Sequence, residues 1–314
     1  MWRLALSLML LGITALAVGQ VARQAPLPTP SLPGRLAYVV AGNIWLWQGG
    51  AHQLTRTGHD GSPSLSADGT QLAYVRYDDS FSDILLAAVT GGQPTFLTNN
   101  RPAAETGSKP YVDAAVWAFT PSWSPDAGRL AYTSDKGTDA PVLWIMTPAG
   151  SAPHSLTTSP PNPPLERPQW SPDGTTVAAV SMGSGKDEVW SLNLDNGVWS
   201  EVAAPPDGAY DPTWSPDGKI VAYAGRSGRQ TDIYAVPADR SATPVQLTHL
   251  GVARSPVFSP DGRQLAFLAE KDERFQVFVA DLSVDKSSYR AAAPQQVTDN
   301  SEGVDAASGL SWSK

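Results

Sequence analysis

The sequence predicts an all-β protein, a six-bladed β-propeller built from four-stranded antiparallel blades. Three observations favour this fold class: a repeated turn phrase, short apolar runs around it, and complementary part-units at the two ends of the repeat array. The phrase is Ser-Pro-Asp-Gly or a close variant, and its copies begin at Ser66, Ser124, Ser171, Ser215 and Ser259. Successive copies lie 58, 47, 44 and 44 residues apart, a period typical of propeller blades or stacked solenoid units.

The first two strands of each unit flank the turn phrase. The first strand ends in proline, one further residue and a large apolar side chain, as in Pro121-Ser122-Trp123. The turn phrase then places proline where φ must be preset and glycine where a left-handed residue is needed, which predicts a hairpin. The second strand is an apolar run such as Leu130-Ala131-Tyr132, too short and too rich in branched and aromatic residues for a helix.

Two further strands complete each predicted blade. The third resembles Ile233-Tyr234-Ala235-Val236, and the fourth ends in a pair such as Leu247-Thr248 or Val297-Thr298. No segment after residue 22 shows a helical period. Because the turn aspartate and the tryptophan before it recur from unit to unit, we interpret the aspartates as acceptors within the turns and the tryptophans as packing between blades.

The two ends of the array predict a closed ring. Gly34-Arg35-Leu36-Ala37-Tyr38 matches a second strand that has no first strand before it, and Leu310-Ser311-Trp312-Ser313 matches a first strand. Together they complete a sixth blade, and closure removes the unpaired edges that an open array would expose. We therefore assign residues 34–314 to one propeller domain.

The N-terminal residues predict export from the cytoplasm. Residues 1–22 combine Arg3 with a long apolar run and small residues suited to cleavage, the plan of a secretory signal peptide or an N-terminal membrane anchor. Both alternatives put the propeller outside the cytoplasm, whether periplasmic, secreted or tethered to the outer face of the cytoplasmic membrane. Residues 23–33 are rich in proline and predict an extended linker.

Composition excludes several classes of function. The formal net charge of -8 disfavours nucleic acid and anionic lipid as partners, and the absence of cysteine excludes disulfides and thiolate metal sites. The four histidines fall in different units without ligand spacing, and no Gly-x-Ser-x-Gly nucleophile motif occurs. We therefore expect no enzyme, no cofactor and no metal; a calcium site drawn from Asp60, Asp211 and Asp305 is the alternative for a metal.

The order of turn phrase, Leu-Ala-Tyr strand, Ile-Tyr strand and Leu-Thr ending resembles the TolB-type, WD40-like propeller repeat. The resemblance covers almost everything after Gly34. It implies a periplasmic protein that binds a lipoprotein and other envelope proteins through its propeller. TolB also carries a small domain before its blades, where this sequence has the proline-rich linker. The same propeller type resembles the lid domain of prolyl oligopeptidase-like peptidases, whose nucleophile motif this sequence lacks.

Binding residues are expected where the units differ, on the face that carries the connections between blades. Residues 99–120 and 158–167 form the long connections there, and Tyr111, Trp117 and Phe119 look exposed. The predicted partner-binding residues are His59, Asp60, Tyr111, Asp113, Trp117, Phe119, Glu166, Arg167, Tyr210, Asp211 and Arg254. Their mixture of charge signs favours a polar peptide or protein segment.

The sequence therefore predicts a monomeric, non-catalytic, extracytoplasmic binding or scaffold module. Its partner is expected to be an envelope or extracellular protein or peptide, recognised by the looped face and the channel mouth. We expect contact with a membrane only through residues 1–22, if they are retained. The alternative is a small-ligand or carbohydrate receptor that uses the central channel, and a propeller lyase or hydrolase is the weaker third hypothesis.

Overall fold

The computed structural model describes residues 30–104, 106–156, 161–285 and 288–314. The predicted signal or anchor, residues 1–22, and residues 23–29 of the linker lie outside the described residues. Within the described part, no helix is long and apolar enough to cross a membrane. The chain forms six antiparallel sheets, which we number as blades in chain order.

The strands of each blade follow one another along the chain, except in blade 1. Blade 1 contains β1 (Arg35–Val40), β2 (Asn43–Trp47), β3 (Ala51–Gln53) and β25 (Ser311–Ser313). Blade 2 contains β4 (Asp60–Leu65), β5 (Gln71–Tyr77), β6 (Ser82–Ala88) and β7 (Thr95–Phe96), and blade 3 contains β8 (Ala118–Trp123), β9 (Leu130–Ser134), β10 (Val142–Met146) and β11 (His154–Leu156). Blade 4 contains β12 (Leu165–Trp170), β13 (Thr176–Ser181), β14 (Glu188–Asn193) and β15 (Trp199–Ala203).

Blades 5 and 6 follow the same plan, with one extension. Blade 5 contains β16 (Ala209–Trp214), β17 (Ile220–Ser227), β18 (Gln230–Pro237) and β19 (Val245–Gln246). Blade 6 contains β20 (Ala253–Phe258), β21 (Gln264–Lys271), β22 (Arg274–Asp285), β23 (Ser288–Ala291) and β24 (Gln295–Gln296), and both β23 and β24 pair with β22. The predicted six-bladed all-β fold is therefore confirmed.

The structure adds one helical turn that the sequence did not predict. Helix α1 (Lys109–Asp113) lies in the long connection between blades 2 and 3. Five residues are too few to generate a recognisable 3.6-residue period, so the pattern of apolar residues gave no signal for it.

The turn phrase is held together by its own side chains. The Ser66 hydroxyl donates to Asp68 Oδ1 at 2.6 Å, and the same oxygen accepts the Thr70 amide at 3.0 Å. The Ser66 Oγ also accepts the Gln71 amide at 3.0 Å. Serine donates to aspartate in the same way in the other four copies, which begin at Ser124, Ser171, Ser215 and Ser259. The prediction that these aspartates have a structural role is confirmed.

The recurrent fourth-strand threonine also has a local explanation. The Thr98 hydroxyl accepts the Ile84 amide at 2.9 Å and donates to Asp83 Oδ1 at 2.7 Å. The equivalent bonds link Thr248 to Asp232 in blade 5 and Thr298 to Gln276 in blade 6. One hydroxyl thus ties the connection that follows the fourth strand to the start of the third strand.

The core is divided among the boundaries between blades. The described residues form six buried apolar clusters, one at each boundary between neighbouring blades. Indole groups reach across these boundaries: Trp123 Nε1 donates to the Ser64 carbonyl at 3.1 Å, and Trp214 Nε1 donates to the Gln169 carbonyl at 3.2 Å. The predicted packing of the repeated tryptophans between blades is confirmed.

Pairing between the two ends of the propeller closes the ring. Strand β25 pairs with β1 in antiparallel register, with Leu36 opposite Trp312 and Ala37 opposite Ser311. Trp312 Nε1 donates to the Pro33 carbonyl at 2.6 Å, and the Trp312 ring belongs to the cluster between blades 6 and 1. Strand β25 therefore pairs with β1 in blade 1, and its indole packs into the core shared with blade 6.

Replacing the closing indole should weaken the whole ring. We expect Trp312→Ala to cost about 3 to 5 kcal/mol of unfolding free energy, because a buried aromatic side chain is lost. For a chain of this size the melting temperature should fall by about 6 to 20 °C, measured by calorimetry. Val198→Ala is the control, since Val198 is 55% exposed and should change little. An unchanged melting temperature for Trp312→Ala would contradict closure through β25.

The turn aspartates should make the fold sensitive to acid. The Ser66 hydroxyl and the Thr70 amide lower the pKa of Asp68 from 3.8 to about 2. Because the folded pKa lies below the unfolded one, this stabilisation is present above about pH 4 and is lost as the pH falls towards 2. We expect Asp68→Asn to lower the urea midpoint at pH 7 but to differ less from the wild type at pH 2.5. The exposed Asp139→Asn is the matched control; a constant difference across this range would refute the assignment.

Candidate functional site

A repeated backbone distortion aims side chains into the channel. In blades 2 to 6 the innermost strand carries a β-bulge. The residue before the strand proline is left-handed in each, with φ between 43° and 54°: Ser62, Thr120, Arg167, Asp211 and Ser255. Left-handed residues other than glycine are strained, and bulges redirect side chains, so this ring is a place to look for function. These residues line a constriction of the channel with a volume of about 50 Å³.

Arg167 divides the channel at this constriction. Its Nη2 donates to the Ala307 carbonyl at 2.6 Å, although Ala307 precedes the inner strand of blade 1, on the opposite side of the six-bladed ring. Gly309 occupies the left-handed position of blade 1, and a Cβ there would lie 3.3 Å from Arg167 Nη1. The guanidinium therefore separates two mouths. We name them the turn mouth, beside the Ser-Pro-Asp-Gly turns, and the connection mouth, beside the connections between blades.

Asp211 anchors the arginines of the connection mouth. Its buried carboxylate accepts Arg167 Nε at 2.7 Å, Arg254 Nε at 3.0 Å and the Ser255 amide at 3.0 Å. Burial alone would raise the pKa of Asp211, but the two guanidiniums outweigh burial and lower it. The carboxylate is therefore ionised, and the cluster fixes the positions of two arginines from different blades.

A polar cavity of about 260 Å³ opens beside this cluster. Its lining residues are Glu166, Arg167, Val180, Met182, Asp187, Tyr210, Arg226 and Arg254, and we call it the arginine–tyrosine cavity. The guanidinium carbons of Arg226 and Arg254 lie 5.9 and 5.2 Å from the centre of the Tyr210 ring, within cation–π range. The Tyr210 hydroxyl donates to Thr231 Oγ1 at 3.1 Å, which fixes the ring.

The structure brings together five of the predicted binding residues. Glu166, Arg167, Tyr210 and Arg254 line the arginine–tyrosine cavity, and Asp211 holds two of them in place. Sequence analysis did not group Arg226, Met182 and Asp187 with them. Met182 and Asp187 lie in the turn between β13 and β14, and Arg226 lies near the end of β17. Their position at the junctions between second and third strands, on the same face as the connections between blades, is the signal that could have grouped them with the predicted residues.

The remaining predicted residues lie elsewhere. Asp60 is buried and pairs with Arg76 at 2.7 Å, and His59 beside it is exposed. Asp113 pairs with Lys109 on helix α1. None of these residues lines the arginine–tyrosine cavity.

The aromatic residues of the long connection differ from the expectation of an exposed loop. Tyr111 is only 4% exposed, so its predicted exposure was wrong; it lies within helix α1, which the sequence did not predict. Trp117 and Phe119 are half-buried, and their rings stack on each other with centroids 6.1 Å apart. Each ring therefore covers one face of the other and leaves less aromatic surface exposed than the sequence suggested.

The carboxylates proposed as a calcium alternative are engaged separately. Asp60 binds Arg76, Asp211 binds two arginines, and Asp305 accepts the Ala307 amide and the Ser308 hydroxyl. Over the described ranges, no group of three histidine or carboxylate side chains is placed to hold a metal ion. The residues present therefore do not converge on a calcium ion.

The turn mouth has a different character. It forms a cavity of about 280 Å³ whose lining includes Trp123, Trp170, Trp214, Phe258, Trp312 and the prolines of the turns. Except for the half-buried Trp214, these aromatic side chains are at most 9% exposed, so they pack between blades and also present an edge to the cavity. The prediction that the repeated tryptophans belong to the core was correct, but it did not include their position at the wall of the turn mouth.

Comparison with a family model places the repeat among known propellers. A model described as "TolB beta propeller domain" matches residues 143–303, slightly more than half of the chain. A relative from Bacillus subtilis (strain 168), "Uncharacterized peptidase YuxL", is 33% identical over 128 residues, which are 40% of this chain and 18% of that protein. The chain therefore spans about a fifth of the length of this relative.

Solved structures share the fold at low sequence identity. The crystal structure of TolB from Acinetobacter baumannii aligns with a TM-score of 0.70 and 18% identity over 91% of this chain and 68% of that one. An oligogalacturonate lyase in complex with manganese aligns with a TM-score of 0.53 and 14% identity over 84% of this chain and 75% of that one. At these identities the similarity shows the fold alone.

Removing the anchoring carboxylate should destabilise the fold. We expect Asp211→Ala to cost about 3 to 5 kcal/mol, because two partly buried guanidiniums lose their counterion. The difference in unfolding free energy should be largest near neutral pH, where the wild-type carboxylate is ionised. It should shrink as the pH falls through the lowered pKa of Asp211, because the protonated wild-type side chain no longer offers a charge to the arginines. Urea unfolding at several pH values measures it, with the exposed Asp139→Ala as control. A cost below about 1 kcal/mol would show that the cluster does not hold the mouth together.

Proposed function

The chain belongs to the TolB beta-propeller family, and on that premise we propose that it is a non-catalytic binding or scaffold module that acts outside the cytoplasm. It recognises a protein or peptide partner through its connection mouth. The observation that carries this proposal is the arginine–tyrosine cavity, where residues from blades 4, 5 and 6 converge around a buried carboxylate.

The path of the chain into the propeller favours this face. The Pro33 carbonyl accepts the indole N–H of Trp312, whose ring lines the turn mouth, and Leu32 packs against the same cluster. The proline-rich linker therefore joins the domain beside the turn mouth. A tether attached there leaves the connection mouth pointing away from the anchor and free for a partner.

The extracytoplasmic location rests on two arguments. Residues 1–22 have the composition of a signal peptide or anchor, and TolB-type propellers, which this chain resembles, are periplasmic.

A binding role suits a chain whose histidines are dispersed. Among the described residues, no histidine is hydrogen-bonded to a serine hydroxyl or paired with a carboxylate, as a nucleophile–base pair would require.

A small-ligand receptor is the second candidate, and the turn mouth favours it. Aromatic edges around a cavity of about 280 Å³ suit edge-to-face contact with a flat ligand or apolar contact with a sugar. The constriction at Arg167 limits such a ligand to the mouth, because the channel beyond has a volume of only about 50 Å³.

Affinity capture from an envelope extract tests the main proposal. We expect the full-length chain to retain a protein that a variant with Glu166→Ala and Arg226→Ala loses. These two positions line the cavity without holding Asp211, so the change should leave the fold intact. The control, matched in charge, carries Asp195→Ala and Arg263→Ala, an exposed acidic and an exposed basic residue on the turn side.

The comparison of the two variants decides the outcome. Capture that survives the control but not the cavity variant locates the partner at the connection mouth. Equal capture by all three proteins would reject this face. Stabilisation by sugars in a thermal-shift screen, with no protein captured, would favour the small-ligand receptor.

A further inference from the structure

The walls of the arginine–tyrosine cavity carry opposite charges. Arg226 and Arg254, from blades 5 and 6, lie on the side of the Tyr210 ring. Glu166 and Asp187, from blade 4, also line the cavity. A protein with a formal net charge of -8 therefore presents a local basic wall at its connection mouth.

Arg226 is the cation in this wall that lacks a protein anion. Arg167 and Arg254 share the carboxylate of Asp211. Within the described ranges, Arg226 is exposed and contacts the Tyr210 ring but forms no ion pair. A guanidinium that lies near an aromatic ring and has no protein anion keeps its donors available for a carboxylate that binds from outside.

An exposed apolar patch adjoins the basic wall. Leu250 and Val252 are 47% and 36% exposed, among the most exposed large apolar side chains of the described residues. Val252 forms a β-bridge with Thr231, whose hydroxyl accepts the Tyr210 hydroxyl. The patch and the cavity are therefore neighbours along the same edge of blade 5.

The backbone that carries this patch is held in place. Both the Leu250 amide and the Gly251 amide donate to the buried Asp232 carboxylate, at 2.8 Å and 3.3 Å. The Gly251 carbonyl accepts the Thr231 amide at 2.8 Å. The loop therefore presents Leu250 and Val252 in fixed positions, where an apolar side chain of a partner could pack on them.

The size of the cavity indicates what kind of ligand it holds. Its volume of about 260 Å³ is below the roughly 300 to 1,000 Å³ of pockets that enclose drug-sized ligands. It suits one anchoring side chain of a longer partner, with the rest of the partner lying across the rim.

We propose that the arginine–tyrosine cavity receives an acidic side chain of a partner segment, and that a neighbouring apolar side chain of the segment packs on Leu250 and Val252. The carboxylate lies between Arg226 and Arg254, beside the Tyr210 ring. This assignment rests on the proposed function and gives the partner a chemistry: an acidic segment that also carries large apolar residues.

Binding of defined peptides to the full-length chain tests the assignment. The probe is a fluorescent, acetylated and amidated peptide of alternating glutamate and leucine, followed by anisotropy. We expect saturable binding, about tenfold weaker for Arg226→Gln, because a charge-assisted hydrogen bond is lost. Arg263→Gln, on the turn side, should bind like the wild type. Replacing glutamate by glutamine or leucine by alanine in the peptide should weaken binding in each case.

A substitution of Glu166, an acidic residue of the cavity, tests the assignment with the opposite expected change in affinity. Glu166→Gln removes a negative charge from the cavity, so an acidic ligand should bind as tightly as before or more tightly. Weaker binding would show that the Glu166 carboxylate itself helps to hold the peptide, which overturns the assignment of the binding to the two arginines. Equal binding of the glutamine peptide, or no saturable binding up to about 1 mM, would overturn it too.

Failure of this assignment can be separated from failure of the proposed function. If the glutamate peptide does not bind but an envelope protein is still lost on Glu166→Ala with Arg226→Ala, the connection mouth binds a partner of different chemistry. If neither the peptide nor any protein depends on these residues, both proposals fail. Matching melting temperatures of Arg226→Gln and wild type exclude unfolding as the cause.

Discussion

Closure of the ring is the constraint on which the rest of this structure depends. The apolar clusters lie at the boundaries between blades, and the cluster between blades 6 and 1 includes Trp312 of β25, which pairs with β1. Closure also turns six innermost strands towards one axis. The bulge in five of these strands would be a local irregularity in an open sheet. In the closed ring it becomes a circle of side chains around a channel.

Repetition and variation serve different purposes at that circle. The backbone distortion is shared, since the left-handed residue precedes proline in blades 2 to 6. The side chains it carries differ: serine or threonine in three blades, but Arg167 in blade 4 and Asp211 in blade 5. The fold thus provides six equivalent positions directed at the axis, and two of them hold charges that pair across a boundary between blades. In blades 2 to 6 the residue types alone make an asymmetric site out of a backbone distortion that these blades share.

The sequence was informative where the repeat is regular and silent where contacts cross between blades. The Ser-Pro-Asp-Gly phrase predicted the blade pattern, and the predicted binding residues included Arg167 and Asp211, which line the channel. The pairing of Asp60 with Arg76, and of Asp211 with both Arg167 and Arg254, could not be predicted, because it depends on side-chain directions within and between blades. Tyr111 was misjudged because its segment has no counterpart in the other units and folds into its own helical turn.

The division of the channel by Arg167 bears on how one fold serves unrelated functions. A structure of TolB and a structure of an oligogalacturonate lyase in complex with manganese both align with this chain, so the fold alone does not decide its function. Here the guanidinium that spans the axis leaves two mouths of contrasting chemistry, one aromatic and beside the linker, the other charged and remote from it. The two mouths are separated by a constriction of about 50 Å³, so an occupant of one does not exclude an occupant of the other. The residues that lead into the propeller lie beside the turn mouth, so the tether and the recognition surface that we propose do not compete for one site.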